Sequence, residues 1–125
     1  MQPLFIDHIV IIAKELERTE RFYSVFLGEP EHRDAESVCF KVGETKLFFV
    51  LPYGDFEKTG KDSGSLNHLA FGVRTLNELR GFEGVLRKAG IQHSGVQLDK
   101  YGNKEFIWFD DPDGYRLEFY CRAAE

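Results

Sequence analysis

Residues 7–26 of this chain are written a second time at residues 67–86. Asp7-His8-Ile9 answers Asn67-His68-Leu69, and Leu16, Phe22, Val25 and Phe26 answer Leu76, Phe82, Val85 and Leu86. The repeated unit reads as a short strand carrying a histidine, followed by an amphipathic helix. One such unit cannot bury its apolar face alone, so two copies must close on each other or on a second chain. The histidines fall on one position of the unit twice, which points to a site shared by the two halves.

At 125 residues the chain is long enough for one domain with a substantial core and too short for separate cofactor and substrate domains. Each half is therefore a module of that domain. Sixteen Lys and Arg against 21 Asp and Glu give a net charge of −5 with no basic stripe, which argues against nucleic acid as a partner. The apolar run from Phe5 to Ala13 is short and broken by Asp7 and His8, so no membrane span is expected. No basic start and small-residue cleavage pattern follows Met1, and the expected location is the cytoplasm. Cys39 and Cys121 lie in apolar, strand-like surroundings and read as reduced core residues.

Periodicity predicts β-α-β-β-β twice, an α+β fold of two tandem βαβββ modules. In module one, about 4–52, Phe5 to Ile12 reads as a strand and Glu15 to Leu27 as a helix ended by Gly28. A weak edge strand near His32 and a hairpin of Val38–Val42 with Lys46–Leu51 complete it. Residues 53–65 are polar and contain glycines, which suits a linker or a flap over a site. Module two, about 66–122, opens with Leu66 to Val73. A helix then starts on a Thr75/Glu78 capping box and ends at Gly90. Ile91 to Gln97 is predicted as a strand, Asp99 to Asn103 as a turn and Glu105 to Asp110 as a strand. Asp111-Pro112-Asp113-Gly114 is a turn in which proline presets the backbone and glycine accepts positive φ, leading into Tyr115 to Cys121. Strand alternation puts Arg116, Glu118 and Tyr120 on one face and Tyr115, Leu117 and Phe119 on the other.

Glu118 is a carboxylate in a mostly apolar strand, so it requires a cation, a strong hydrogen bond or a metal, and Arg116 is its simplest partner. Two imidazoles at repeated positions and one carboxylate also form a donor set for a divalent ion with open positions, as a catalytic metal needs. A lone strand histidine is ordinarily a satisfied polar group. That reading suffices for His32 and His93, which have no counterpart, whereas the repeat separates His8 and His68 from it.

Ile6-Asp7-His8-Ile9, the Phe22-to-Gly28 helix end, Asn67-His68-Leu69-Ala70-Phe71 and Asp111-to-Glu118 resemble the vicinal oxygen chelate superfamily of glyoxalases, bleomycin-resistance proteins and extradiol dioxygenases. The resemblance covers nearly the whole chain. It implies two modules whose curved mixed sheet cups a central site, with His8, His68 and Glu118 at the family's ligand positions. It implies one divalent transition metal (Zn, Ni, Mn, Co or Fe), a small oxygen-bearing substrate and Lewis-acid chemistry of a lyase, isomerase or transferase type. It also implies a homodimer.

Departures from single subfamilies narrow this. Glyoxalase I enzymes carry a further glutamate on the last strand of module one, where this chain has Phe48. Extradiol dioxygenases carry a histidine and a tyrosine where this chain has the Asp99-Lys100-Tyr101 region and Trp108. Fosfomycin-modifying enzymes carry a threonine, a serine and a tyrosine where this chain has Val10, Glu105 and Ile107. Glu105, at a position that faces the pocket in relatives, becomes the candidate base. Phe48, Tyr101, Lys104, Arg116 and Tyr120 are the candidate substrate contacts. The alternatives carried forward are an Fe(II) dioxygenase and a metal-free protein that sequesters a ligand in an aromatic cleft.

Overall fold

A computed structural model describes residues 1–52 and 66–124. The chain divides into two compact units, Met1–Glu57 and Lys58–Glu125. The predicted 53–65 linker lies outside the described residues.

The first unit runs β1 (His8–Ile12), α1 (Leu16–Leu27), β2 (His32–Arg33), β3 (Ser37–Val42) and β4 (Thr45–Val50), with its sheet ordered β1-β4-β3-β2. β1 lies parallel to β4, which forms an antiparallel hairpin with β3. The second unit repeats this as β5 (Leu69–Val73), α2 (Leu76–Lys88), β6 (Gln97–Leu98), β7 (Glu105–Asp110) and β8 (Arg116–Cys121), ordered β5-β8-β7-β6. Here β5 is parallel to β8, and β8 pairs antiparallel with β7. The duplicated sequence therefore folds into a duplicated mixed sheet, each covered on one face by its own helix.

The helix face is where the apolar burial lies. Tyr23 of α1 sits 4.3 Å, ring to ring, from Phe49, and both are fully buried with Phe40. In the second unit Phe82 of α2 stacks at 4.4 Å on Phe119, above a buried layer of Ile107, Phe109, Leu117, Leu79 and Leu86. These aromatic pairs bury large areas and favour offset or tilted ring geometry. The two helices are started differently. Thr75 Oγ1 accepts from the Glu78 N–H at 3.1 Å while Glu78 Oε1 accepts from the Thr75 N–H at 3.0 Å, a complete capping box. Glu15, at the equivalent position of α1, makes no side-chain cap bond, and α1 ends at Gly28 with φ of +80°.

One predicted strand is shorter than its sequence suggests. Of Ile91 to Gln97, His93 forms an isolated bridge with Phe109, and regular pairing resumes only at Gln97. Gly95 adopts φ of +72° and interrupts the extended chain, and its N–H donates to His93 Nδ1 at 3.0 Å. Ser94 closes the gap, exchanging bonds with Trp108 through its N–H and its Oγ. His93 is thereby a structural residue.

The Asp111–Gly114 turn sets the register of β7 against β8. Asp111 is buried, and its Oδ1 accepts from the N–H groups of Asp113 at 2.8 Å and Tyr115 at 3.0 Å. Removing a buried acceptor leaves its donors unpaired at about 1–3 kcal/mol. Asp111→Ala is therefore expected to lower unfolding free energy by roughly that amount in urea titrations, with an unchanged m-value, and Asp111→Asn, which keeps Oδ1, to lose less.

Candidate metal centre

Among the described residues the helix of each unit covers one face of its sheet, and strand alternation decides what stands on the other, the open face of that unit. On the second unit's sheet, β8 and β7 pair Glu118 with Trp108, Tyr120 with Phe106 and Arg116 with Asp110, so these six share the open face. Ala70 and Gly72 of β5 face the same way, and His68 continues that alternation one step before the strand. On the first unit's sheet the open face carries His8, Val10, Lys46 and Phe48, from the pairs His8↔Lys46 and Val10↔Phe48.

The two registers can be read across each other. In the first unit His8 lies beside Lys46, and in the second His68 lines up with Arg116 one step ahead of the Leu69↔Leu117 pair. Two residues further on, Phe48 corresponds to Glu118. Each histidine therefore faces the same kind of neighbourhood, with one difference. His68 Nε2 lies 3.6 Å from Glu118 Oε2, whereas the His8 ring meets Phe48 edge-on at 5.8 Å between centroids. The cation beside each histidine is also held by a carboxylate of its own chain. Lys46 pairs with Glu31 at 2.8 Å, and Arg116 with Asp110 at 2.7 Å while its guanidinium lies 3.9 Å over the Trp108 ring.

Both repeated histidines are oriented in the same way. His8 Nδ1 donates to Asp7 Oδ1 at 2.8 Å, and His68 Nδ1 donates to Asn67 Oδ1 at 2.7 Å. Fixing the proton on Nδ1 leaves the Nε2 lone pair as the outward donor, the way metal-ligating histidines are prepared. The sequence repeat shows the Asp-His and Asn-His dipeptides, but only the structure shows that the first residue of each holds the ring of the second.

The His68–Glu118 pair has the spacing of two ligands on one divalent ion. Two ligand atoms on a tetrahedral zinc stand about 3.4 Å apart, close to the 3.6 Å between His68 Nε2 and Glu118 Oε2. The Glu118 side chain is 15% exposed, so its charge is mostly withdrawn from water, while His68 at 40% remains reachable. Among the described residues no group of three or more His, Cys, Asp or Glu is assembled. The structure thus brings two of the three expected ligands together, and His8 stands on the sheet of the other unit.

The remaining expected site residues divide. Phe48 is half-buried on its open face, and Arg116 and Tyr120 flank Glu118 along β8. Tyr101 is 88% exposed, with Lys100 Nζ 5.2 Å over its ring, and Lys104 is exposed in the same turn. Glu105 is the first residue of β7. It pairs with Leu98 and shares the helix-side face with the buried Ile107 and Phe109, so the residue opposite Tyr120 on the open face is Phe106. Strand alternation thereby turns Glu105 away from Glu118. Asp99, expected only as part of a turn, instead reaches Tyr120, whose hydroxyl donates to Asp99 Oδ2 at 2.7 Å. That bond holds the Asp99 carboxyl below its ordinary range and raises the Tyr120 phenol above its own.

Comparison with known proteins agrees with this architecture. The family model of the Glyoxalase/Bleomycin resistance protein/Dioxygenase superfamily matches residues 5–119, and the chain belongs to that superfamily. The uncharacterised protein YaeR of Escherichia coli is 28% identical across 92% of this chain and 94% of its own. A glyoxalase family protein of Enterococcus faecalis superposes with a TM-score of 0.77 at 26% identity, covering 94% of this chain and 97% of that one. Lactoylglutathione lyase of Agrobacterium tumefaciens shares the fold at a TM-score of 0.75 and 19% identity, over 95% of this chain and 94% of its own.

Because Asn67 and Asp7 act by orienting the rings, Asn67→Ala and Asp7→Ala are each expected to weaken binding of Zn(II) by roughly 10- to 100-fold, read by competition with a chromogenic chelator. Unchanged affinity in both would deny the histidines a ligand role.

Proposed function

We propose that this protein is a divalent-metal-dependent enzyme, with His8, His68 and Glu118 as ligands and a small oxygen-bearing molecule as substrate. The observation that carries the reading is the repeated preparation of the two imidazoles. Each has its Nδ1 held by the preceding side chain, and the Nε2 of one already converges on a half-buried carboxylate. A sequestering cleft has no use for that arrangement.

When bound, the ion supplies Lewis-acid stabilisation of negative charge on two substrate oxygens, chemistry shared by lyase, isomerase and transferase reactions. The chain's own residues do the rest. Asp7 and Asn67 hold the rings through Nδ1 and leave Nε2 as the ligand atom, and Glu118 adds the negative charge that retains a cation. Phe48, Trp108 and Phe106 supply apolar surface beside the donors, which keeps water from competing for them. Arg116, fixed between Asp110 and Trp108, is a permanent positive charge at the rim that favours an anionic substrate. Membership of the superfamily supports a homodimer, and two free, buried thiols suit a reducing cytoplasm.

Phe48 gives the reading a sharp test, because the register places it where Glu118 stands in the other module. Elemental analysis should find about one transition metal per chain in the wild type and little in Glu118→Ala. Phe48→Glu, which supplies a further carboxylate, should bind the same metal more tightly than wild type. Iron in the wild type would select oxygen chemistry, and zinc, nickel or manganese the Lewis-acid reactions. Protein that stays metal-free after incubation with Zn(II), Ni(II), Mn(II) and Fe(II) would leave the aromatic-cleft binding protein in its place.

A further inference from the structure

The open face of β8 carries three polar side chains in a row, Arg116, Glu118 and Tyr120, each about 6–7 Å from the next along the strand. The outer two each hold a carboxylate of this chain, and they hold it differently. Asp110 is the ladder partner of Arg116, so that ion pair is built into the sheet and further fixed by the Trp108 ring. Asp99 is not the ladder partner of Tyr120; Phe106 is. Asp99 reaches the phenol from the turn between β6 and β7, where its N–H donates to the Lys104 carbonyl and its carbonyl accepts from Asn103. The residue itself is partly exposed, and its other carboxylate oxygen, Oδ1, accepts from the Tyr101 N–H at 2.9 Å, so Oδ2 at the phenol is the oxygen that a solute's carboxylate would replace while the turn keeps its own bond.

Two further contacts show that the turn is shaped around the phenol oxygen. A Cβ on Gly102 would lie 3.0 Å from Tyr120 Oη, tighter than ordinary contact, so glycine is what lets the turn close on the hydroxyl. The Tyr120 ring stacks on Phe106 at 6.3 Å and 24°, which keeps the hydroxyl in place when its acceptor is exchanged. In the bond to Asp99 the Tyr120 hydroxyl is the donor and the carboxylate the acceptor.

We propose that Tyr120 is a specificity-determining residue whose hydroxyl donates to a carboxylate carried by the substrate, and that Asp99 fills this seat when no ligand is bound. The substrate class is then a small hydroxy- or oxo-acid bearing one carboxylate beyond the pair of oxygens that chelate. This rests on the metal-site reading, because the chelating pair is what brings the further carboxylate to Tyr120.

The test uses Co(II)-loaded protein, with binding followed through the visible cobalt spectrum. The probes are malate and 2-hydroxybutyrate, which differ in a terminal carboxylate against a methyl group. Wild type should prefer malate. Tyr120→Phe, which keeps the ring stack, should weaken malate on the order of tenfold, the worth of a hydrogen bond to a charged group, and leave 2-hydroxybutyrate unchanged. Asp99→Asn, which removes the competing charge, should bind malate severalfold more tightly. These opposite directions separate a ligand-binding role from a loop-holding one, in which both variants would move both probes the same way and overturn the proposal. Equal binding of the two probes to wild type, with the cobalt spectrum present, also overturns it while leaving the metal site standing. Wild type that takes up no Co(II) overturns the metal site and this proposal with it.

Discussion

Among the described residues each four-stranded sheet is covered on one face by the helix of its own unit, and the rest of each unit follows from that. Tyr23 against Phe49 and Phe82 against Phe119 seal the covered faces. Every second residue of β1, β4, β7 and β8 is thereby committed to the core, and its neighbours are committed to the open side. A one-residue slip of β8 would bury Glu118 and expose Leu117 and Phe119. Hydrophobic burial thus fixes the position of the carboxylate without making any contact with it, and the Asp111 turn holds the register at the strand's entrance.

Duplication gives the two sheets one plan and lets them diverge at chosen points. Both keep a histidine whose Nδ1 is held by the preceding residue, and both keep a carboxylate-paired cation beside it. They differ two positions further along the last strand, where one has Glu118 and the other Phe48. The carboxylate in one module makes a polar pair with its histidine, and the phenyl ring in the other makes an apolar wall.

Most of the fold was legible because it is written in periodicity. The repeat, the capping box at Thr75, the Gly28 and Gly90 helix ends and the Asp111–Gly114 turn each have a local physical cause visible in sequence. The Ile91–Gln97 segment was misread because a positive φ at Gly95 breaks a run that alternation alone would extend. His68 and Glu118 were singled out by the repeat and by a carboxylate in an apolar strand, and the structure puts them 3.6 Å apart. Glu105 was named from relatives, and strand alternation puts it on the face it shares with Ile107 and Phe109. Asp99 stayed hidden for a different reason. Its partner lies across a hairpin, and no spacing rule links a turn aspartate to a tyrosine two strands away.

The central claim is that one ion takes an imidazole from each copy of the repeat. X-ray absorption spectroscopy of the zinc-loaded wild-type protein measures this directly, because imidazole scattering counts the histidines around the metal. Two imidazole nitrogens at about 2.0–2.1 Å together with oxygen ligands are the expected first shell. A shell with one imidazole, or with oxygen alone, would contradict the claim and leave the second histidine as a relic of duplication.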